Sequence, residues 1–495
     1  MGSGLRLYVC VGWLVGAASG CTTERSRPEP RESAPYADVH LADVPHVQQQ
    51  PRFGGEAAAT MALLALDHDT DQDHVFDRTG VDPLEARGAS ADELARALGD
   101  MGFEVGETTT RLGPGGAGAQ LAALHADLER GVPSVVELAA ETGGAGGRRF
   151  VLVVGYEAAT DRVRFHDPAR PDGADHAMAR RDFLTRWPHT TDDGPPSVTR
   201  IRLAPGPAPL VVSPPSATPT QADYAQHIIA LEPRLEAGMT VLLRPPFVII
   251  GDAERSRVEE TARSVVWLAA NDYEKHYFHT PPPITEVWIF RSGETYAYHT
   301  QRLTGRPAPT AFGFYDPAAH ALYANLAAGS GTLLHELVHP YMRASIPDCP
   351  PWYNEGMGSL FESAGVRNGR LAGGLNWRLN GLKRAIRNNR LGPLTDLLAR
   401  GPTRFHGLDH AESYAAARYL VFYLQEHALL DPFHRSFLLH HSRDPSGRRT
   451  LERTLGESLE RFERHWRNWI LQLDQQPVFL TFRDPELVRG QRWRF

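Results

Sequence analysis

Thr332-Leu333-Leu334-His335-Glu336-Leu337-Val338-His339, followed shortly by Trp352-Tyr353-Asn354-Glu355-Gly356, is the stretch on which the reading of this chain turns. On a helix, residues four apart share a face with Cβ atoms about 5–6 Å apart, so His335 and His339 direct their imidazoles at one point, as a zinc ion requires. Glu336 projects from the same turn without being aimed as a ligand, which is the placement of a base that takes a proton from an attacking water. Leu333, Leu334, Leu337 and Val338 supply the apolar flank of a helix packed in a core. Pro340 directly follows His339, removes the bond to the carbonyl of Glu336 and disfavours helical backbone in the residue before it, which predicts a kink or an early helix end.

A catalytic zinc takes three protein ligands and keeps one position open, so a third donor is needed. Glu355 is the best candidate, because it opens a second helix-like stretch, Glu355 to Glu362, after a turn rich in proline at Pro347, Pro350 and Pro351. Two histidines, a short excursion and a W-x-N-E-G helix resemble the gluzincin zinc metallopeptidases. That resemblance implies that His335, His339 and Glu355 bind Zn2+ and that Glu336 is the general base, with Ser359 and Glu362 as candidates for orienting the ligands. Phe312 to Pro317 and Ala321 to Asn325 read as a hairpin. In gluzincins an edge strand beside the zinc pairs with the substrate backbone, so this hairpin is expected to take an extended peptide through main-chain bonds. Glu412 to Leu424 is an amphipathic helix pattern. By the same resemblance Tyr414 stands where a tyrosine hydrogen-bonds the oxyanion, with Tyr419 and Tyr423 as rival positions. Leu451 to Leu473 carries Leu455, Leu459, Phe462, Trp466 and Ile470 at helical intervals, the stripe of a closing helix.

The first half has a different pattern. An alanine-rich helix over Gly55 to Leu66, a Ser90-Ala91-Asp92-Glu93 capping box and a helix near Leu121 to Arg130 precede strand-like runs at Ser134 to Leu138, Phe150 to Tyr156 and Arg162 to His166. From roughly Val44 to Ile201 the order resembles the papain-like peptidases that cleave double-glycine leader peptides. Val44-Pro45, Gln48, the stretch Gly88 to Leu98 and Asp167-Pro168 stand at that family's landmarks. Where the family has C-G-x-A this chain has Gly54-Gly55-Glu56-Ala57, and where it has G-H-Y this chain has Gly147-Arg148-Arg149-Phe150. Covalent catalysis of this kind needs a thiolate beside an imidazole base. Neither is present, so the domain is expected to be dead as a cysteine peptidase and to bind peptide or position its neighbour.

At 495 residues the chain is too long for one core. The fold class expected is α+β in two domains, a papain-like pseudopeptidase followed by a mainly helical gluzincin-like domain with a small sheet. Residues 1–21 read as a lipoprotein-type signal peptide, 22–40 as a flexible tether, 41–202 as the papain-like domain, 203–222 as a proline-rich linker and 223–495 as the zinc domain. The net charge of −7 is spread without long like-charge runs, and no basic patch alternates with aromatics, so nucleic-acid binding is not expected. Leu7 to Ala18 is apolar but too short to span a bilayer. Ala18-Ser19-Gly20-Cys21 resembles a bacterial lipobox, which implies a lipidated Cys21 and a cell-envelope location, although Ala18 holds the place of the usual leucine and ordinary signal-peptidase cleavage stays open. Cys10, Cys21 and Cys349 are the three cysteines; with the first lost and the second lipidated no disulfide is available, and Cys349 remains as a spare zinc donor.

Two readings follow. One is a membrane-anchored zinc peptidase acting on peptide or protein substrates. The other is a non-catalytic peptide-binding or scaffold lipoprotein with a structural zinc.

Overall fold

The computed structural model describes residues 35–140, 147–190, 194–206 and 218–474. The expected signal peptide, Cys21, most of the tether and the middle of the proline-rich segment lie outside these residues. No helix of the described residues is long and apolar enough to cross a membrane.

Ser134–Ala139 and Arg148–Glu157 are rich in valine and buried along most of their length, and they form the centre of the first sheet. Its strands run in the order Glu104–Val105, Ser197–Ala204, Ser134–Ala139, Arg148–Glu157, Arg162–His166, His176–Ala179, all antiparallel. Strand alternation sends Val135, Leu152, Val154, Ile201 and Leu203 to one face, where the helices Gly54–Leu64, Gln72–Thr79 and Ala91–Asp100 pack. Val136, Leu138, Val151, Val153 and Val198 go to the other face, against the helix Gly116–Leu128 and the buried Phe183 and Trp187. The Ser90 capping box is present at the start of Ala91–Asp100.

Both edges of this unit extend further than composition suggested. Val39–His40, placed by the sequence in the tether, pairs with Tyr156 and Gly155, and the Tyr36 ring stacks on His125 at 5.0 Å. Leu203 and Ala204, placed in the linker, complete the last strand because Leu203 is buried and pairs with Val105. The linker's other end is Thr220, which caps the helix Gln221–Leu231 with a capping box.

The second sheet is mixed, in the order Gly313–Asp316, Ala321–Asn325, Thr285–Phe290, Phe247–Gly251, Thr240–Arg244. The parallel pairs at its centre are buried on both faces. Phe247, Ile249, Val287, Ile289, Leu322 and Ala324 face a large helical core containing Ser330–Ser345, Pro351–Phe361 and His410–Glu426. Val248, Ile250, Trp288, Phe290, Ala321 and Tyr323 face the opposite way and join the same apolar cluster as the first unit's helices.

Two helix expectations are corrected. Of the kink or early end expected at Pro340, the early end does not occur: the helix runs on to Ser345, with Pro340, Tyr341 and Met342 buried, and their tertiary packing outweighs the single missing hydrogen bond. The closing helix is two helices, Arg448–Leu455 and Leu459–Gln472, because Gly456 takes a left-handed conformation (φ 73°) and Ser458 caps a new start.

Candidate metal centre

The helix Ser330–Ser345 presents His335 and His339 one turn apart, with ring centroids 5.0 Å from each other. Ligating atoms of His335, Glu336 and His339 all lie within 4.8 Å of one another. Facing them is the helix Pro351–Phe361, which brings Glu355 Oε2 to 3.3 Å from His335 Nε2. His335, Glu336, His339 and Glu355 are each under 10% exposed, a costly burial of two imidazoles and two carboxylates unless charge is balanced among them.

The position of the second helix is fixed from behind. Trp352 Nε1 donates to Ser446 O at 2.8 Å, and the Tyr353 hydroxyl meets His434 Nδ1 at 2.6 Å. Gly356 lies so close to the helix His410–Glu426 that a Cβ would meet Ala417 O at 3.0 Å. Gly358 lies against the metal centre itself: a Cβ there would meet His335 Nε2 at 2.9 Å and two further ring atoms at 3.0 and 3.1 Å.

Each imidazole has a polar side chain beside its Nδ1, although His335 Nδ1 makes no hydrogen bond among the described residues. His339 Nδ1 hydrogen-bonds Asn354 Oδ1 at 3.2 Å, and His335 Nδ1 lies 3.2 Å from Glu362 Oε1. Glu362 is in turn forked by Arg378 at 2.7 and 2.9 Å and receives Asn376 Nδ2 at 3.2 Å. Such partners fix which way a ring nitrogen points, and they leave both Nε2 atoms turned inward. Nε2 of His339 lies 3.7 Å from Glu336 Oε2. Glu355 Oε2 is buried and makes no hydrogen bond among the described residues.

The electrostatics call for positive charge at this point. Burial works against protonating His335, yet Glu355 and Glu362 on its two sides raise its pKa to about 10. Burial likewise opposes ionising Glu355 and Glu362, but His335 holds both down at about 2, helped on Glu362 by Arg378. Glu336 is pushed up by burial, with His335 and His339 opposing. A divalent cation at the His335–Glu336–His339 group could meet the same demand that a proton on His335, beside Glu355 and Glu362, meets without it.

Tyr414, on the helix His410–Glu426, has its ring centroid 6.5 Å from that of His335 and its hydroxyl 3.2 Å from His406 Nδ1. Burial and then Glu355 raise its pKa. The rival positions are turned elsewhere: the Tyr419 hydroxyl is taken up by Asn376, and Tyr423 stacks on His427 at 3.9 Å. Of the two expected outer residues, Glu362 reaches His335, whereas the buried Ser359 hydroxyl makes no hydrogen bond among the described residues. Glu355 and Cys349 both lie outside the group of mutually close donors formed by His335, Glu336 and His339; of the three, Glu355 reaches His335 alone, at 3.3 Å, and Cys349 has Sγ 3.8 Å from Pro350 O and a thiol pushed well up by burial. Three residues given no role in the sequence stand at the site: His406, whose Nε2 is 4.0 Å from Glu355 Oε1, Asn354 and Arg378. Asn354 was visible in the motif; the other two arrive from distant segments.

The expected edge strand is Gly313–Asp316, at the margin of the second sheet. The Tyr315 ring lies 6.5 Å from that of His339.

In the first unit, Arg149 Nη1 lies 2.9 Å from Asp167 Oδ2. Gln49, not the neighbouring Gln48, faces the place of the missing nucleophile: a Cβ on Gly54 would meet Gln49 Oε1 at 2.8 Å. Gln48 instead offers its carbonyl to Gln72. Gly88 is required by contact, since a Cβ there would meet Arg52 O at 2.2 Å, and Ala89 N donates to the fully buried Glu56 at 2.6 Å.

Comparison with known proteins bears on this unit. Residues 41–194 match the model of the Peptidase_C39 like family. The crystal structure of xylellain, a cysteine protease from Xylella fastidiosa, is similar at 12% sequence identity and a TM-score of 0.25, covering 34% of this chain and 85% of that one. No curated protein matches. Residues 41–194 are thus similar to a peptidase-related family, within a mixed α+β chain whose C-terminal part is mainly helical.

Proposed function

We propose that the chain is a zinc-dependent peptidase whose chemistry resides in the C-terminal part, anchored to a bacterial envelope membrane through a lipidated Cys21. The observation that carries the reading is the buried trio His335, Glu336 and His339, whose ligating atoms lie within 4.8 Å of one another, with Glu355 Oε2 on the facing helix 3.3 Å from His335 Nε2. His335, His339 and Glu355 would hold the ion. A bound zinc supplies Lewis acidity toward a water and toward the scissile carbonyl. Glu336, whose pKa burial raises, accepts the proton of the attacking water and returns it to the leaving amine. Tyr414 presents a protonated hydroxyl on the His335 side, suited to donate to the developing oxyanion. The edge strand Gly313–Asp316 aligns an extended peptide through main-chain bonds.

The papain-like unit takes no part in bond cleavage. It lacks the thiolate and the imidazole base, and Arg149 and Gln49 fill the surroundings of the vanished pair.

The test is Glu336→Gln in protein lacking residues 1–35. Zinc content should stay at one equivalent while cleavage of a mixed peptide library falls by at least a thousandfold, and chelation should abolish wild-type cleavage. Unchanged turnover in the variant refutes the assigned base; a wild-type protein that binds zinc and cleaves nothing favours the scaffold reading.

A further inference from the structure

Trp377 carries a large apolar side chain that is 63% exposed, and it stands at the start of the helix Arg378–Arg387. Exposure alone is unremarkable for one residue; its connections to the metal centre are what matter. Arg378 Cζ lies 5.4 Å from the Trp377 ring and 5.2 Å from the Tyr414 ring, so one guanidinium is in contact with both aromatic faces. The same guanidinium is forked on Glu362, which abuts His335 Nδ1. Arg378 is therefore fixed by two hydrogen bonds, and the indole resting on it is a pre-set surface next to the tyrosine of the site. Leu408 is fully exposed two residues beyond His406, the partner of the Tyr414 hydroxyl, and adds a second apolar group on the Tyr414 side.

We infer that Trp377 is a specificity-determining wall of the substrate cleft, and that the substrates are polypeptides with a bulky apolar side chain, aromatic or branched aliphatic, close to the scissile bond. The inference rests on the peptidase reading above. A flat side chain stacked on a guanidinium that Glu362 already holds has less freedom to lose when a substrate residue covers it, which favours binding there. Fully burying a leucine or phenylalanine side chain against such a wall changes affinity by about 10- to 100-fold.

The experiment compares zinc-loaded wild type, Trp377→Ala and Trp377→Phe on quenched-fluorescence decapeptides of Ala and Gly that carry one Phe, Leu or Ser at each position in turn. The wild type should prefer Phe and Leu peptides, and in Trp377→Ala the Phe-to-Ser ratio of kcat/KM should fall at least tenfold, mainly through KM. Trp377→Phe, which keeps a ring for Arg378, should restore most of the ratio. Loss of rate in equal proportion on Phe and Ser peptides overturns the inference, because a collapse of the Arg378–Glu362 support damages all substrates alike. Calorimetric binding of the Phe peptide to the zinc-loaded Glu336→Gln protein, with and without Trp377→Ala, separates this from the peptidase reading. Binding that depends on Trp377 in a protein whose wild type cleaves nothing sinks only the peptidase reading; binding indifferent to Trp377 sinks only the wall.

Discussion

At the scale of single residues, the two carboxylates Glu362 and Glu56 make contrasting demands. Glu362 stands behind His335, ionised and gripped by Arg378. Glu362→Gln keeps the size but removes the charge that favours an Nδ1–H donor, so zinc affinity should fall about 10- to 100-fold, read by competition with a chromogenic chelator. A fall below twofold would show that His335 is oriented by packing alone. Glu56 sits in the N-terminal unit, fully buried, with burial raising its pKa from 4.5 to about 7 against the opposing hydrogen bond from Ala89. Between those two values the folded protein holds a proton that the unfolded chain releases, so this group's contribution to stability falls as pH rises from 4.5 to 7 and is constant above. The size is on the order of 3 kcal/mol. Glu56→Gln keeps an acceptor for Ala89 N–H and cannot ionise, so its urea midpoint relative to wild type should climb across that window. Parallel curves for the two proteins would mean that Glu56 titrates normally.

At the scale of elements, the close approach of two helices shapes the candidate metal site, and Gly358 is the point of contact with His335. Alanine in place of glycine within a helix gains up to about 1 kcal/mol in propensity, while overpacking costs about 1–3 kcal/mol. His335 is held on both sides by Glu355 and Glu362 and has little room to give. Gly358→Ala should therefore change the melting temperature modestly yet lower zinc affinity at least tenfold; unchanged affinity would show that the helices separate without disturbing His335. The sequence displayed much of this site, for a physical reason: His335, Glu336 and His339 are tied by the repeat of one helix, and Glu355 follows within one short excursion. Periodicity likewise revealed the helix bearing Tyr414, and residue types around a turn revealed the hairpin that begins with the edge strand. His406, Arg378 and Trp377 were illegible because the chain returns to the site through loops and helix starts that have no local pattern. Gln49 was missed by one position, since alternate side chains of an extended segment point oppositely and only contact with Gly54 settles which faces inward. The break at Gly456 was missed because the apolar stripe continues in register across it.

At the scale of the whole molecule, the N-terminal unit contributes to a core that belongs to both halves. The helix Gln221–Leu231 buries Ala222, Tyr224, Ala225, Ile228, Ile229 and Leu231, too many for one stripe. It packs on the helix Gln72–Thr79 of the first unit and belongs to one apolar cluster with Val248, Ile250, Trp288 and Phe290 of the second sheet. Polar ties reinforce the contact: Arg52 is forked on Glu232 at 2.9 and 2.5 Å, Ala222 N donates to Asp77 at 2.8 Å, and Gln226 Nε2 donates to Pro51 O at 3.1 Å. The exposed Arg52–Glu232 pair is worth little, so the apolar contact dominates. Each large side chain uncovered forfeits about 1.5–3 kcal/mol, and a few such losses equal the whole stability of an ordinary domain. A fragment consisting of residues 218–474 should accordingly be aggregation-prone and bind an apolar dye that the longer protein ignores. Differential scanning calorimetry of residues 35–474 should show one transition with both halves melting together. Two well-separated transitions, or a soluble 218–474 fragment with full zinc affinity, would assign the N-terminal unit a role other than covering the sheet on which the candidate metal site is built.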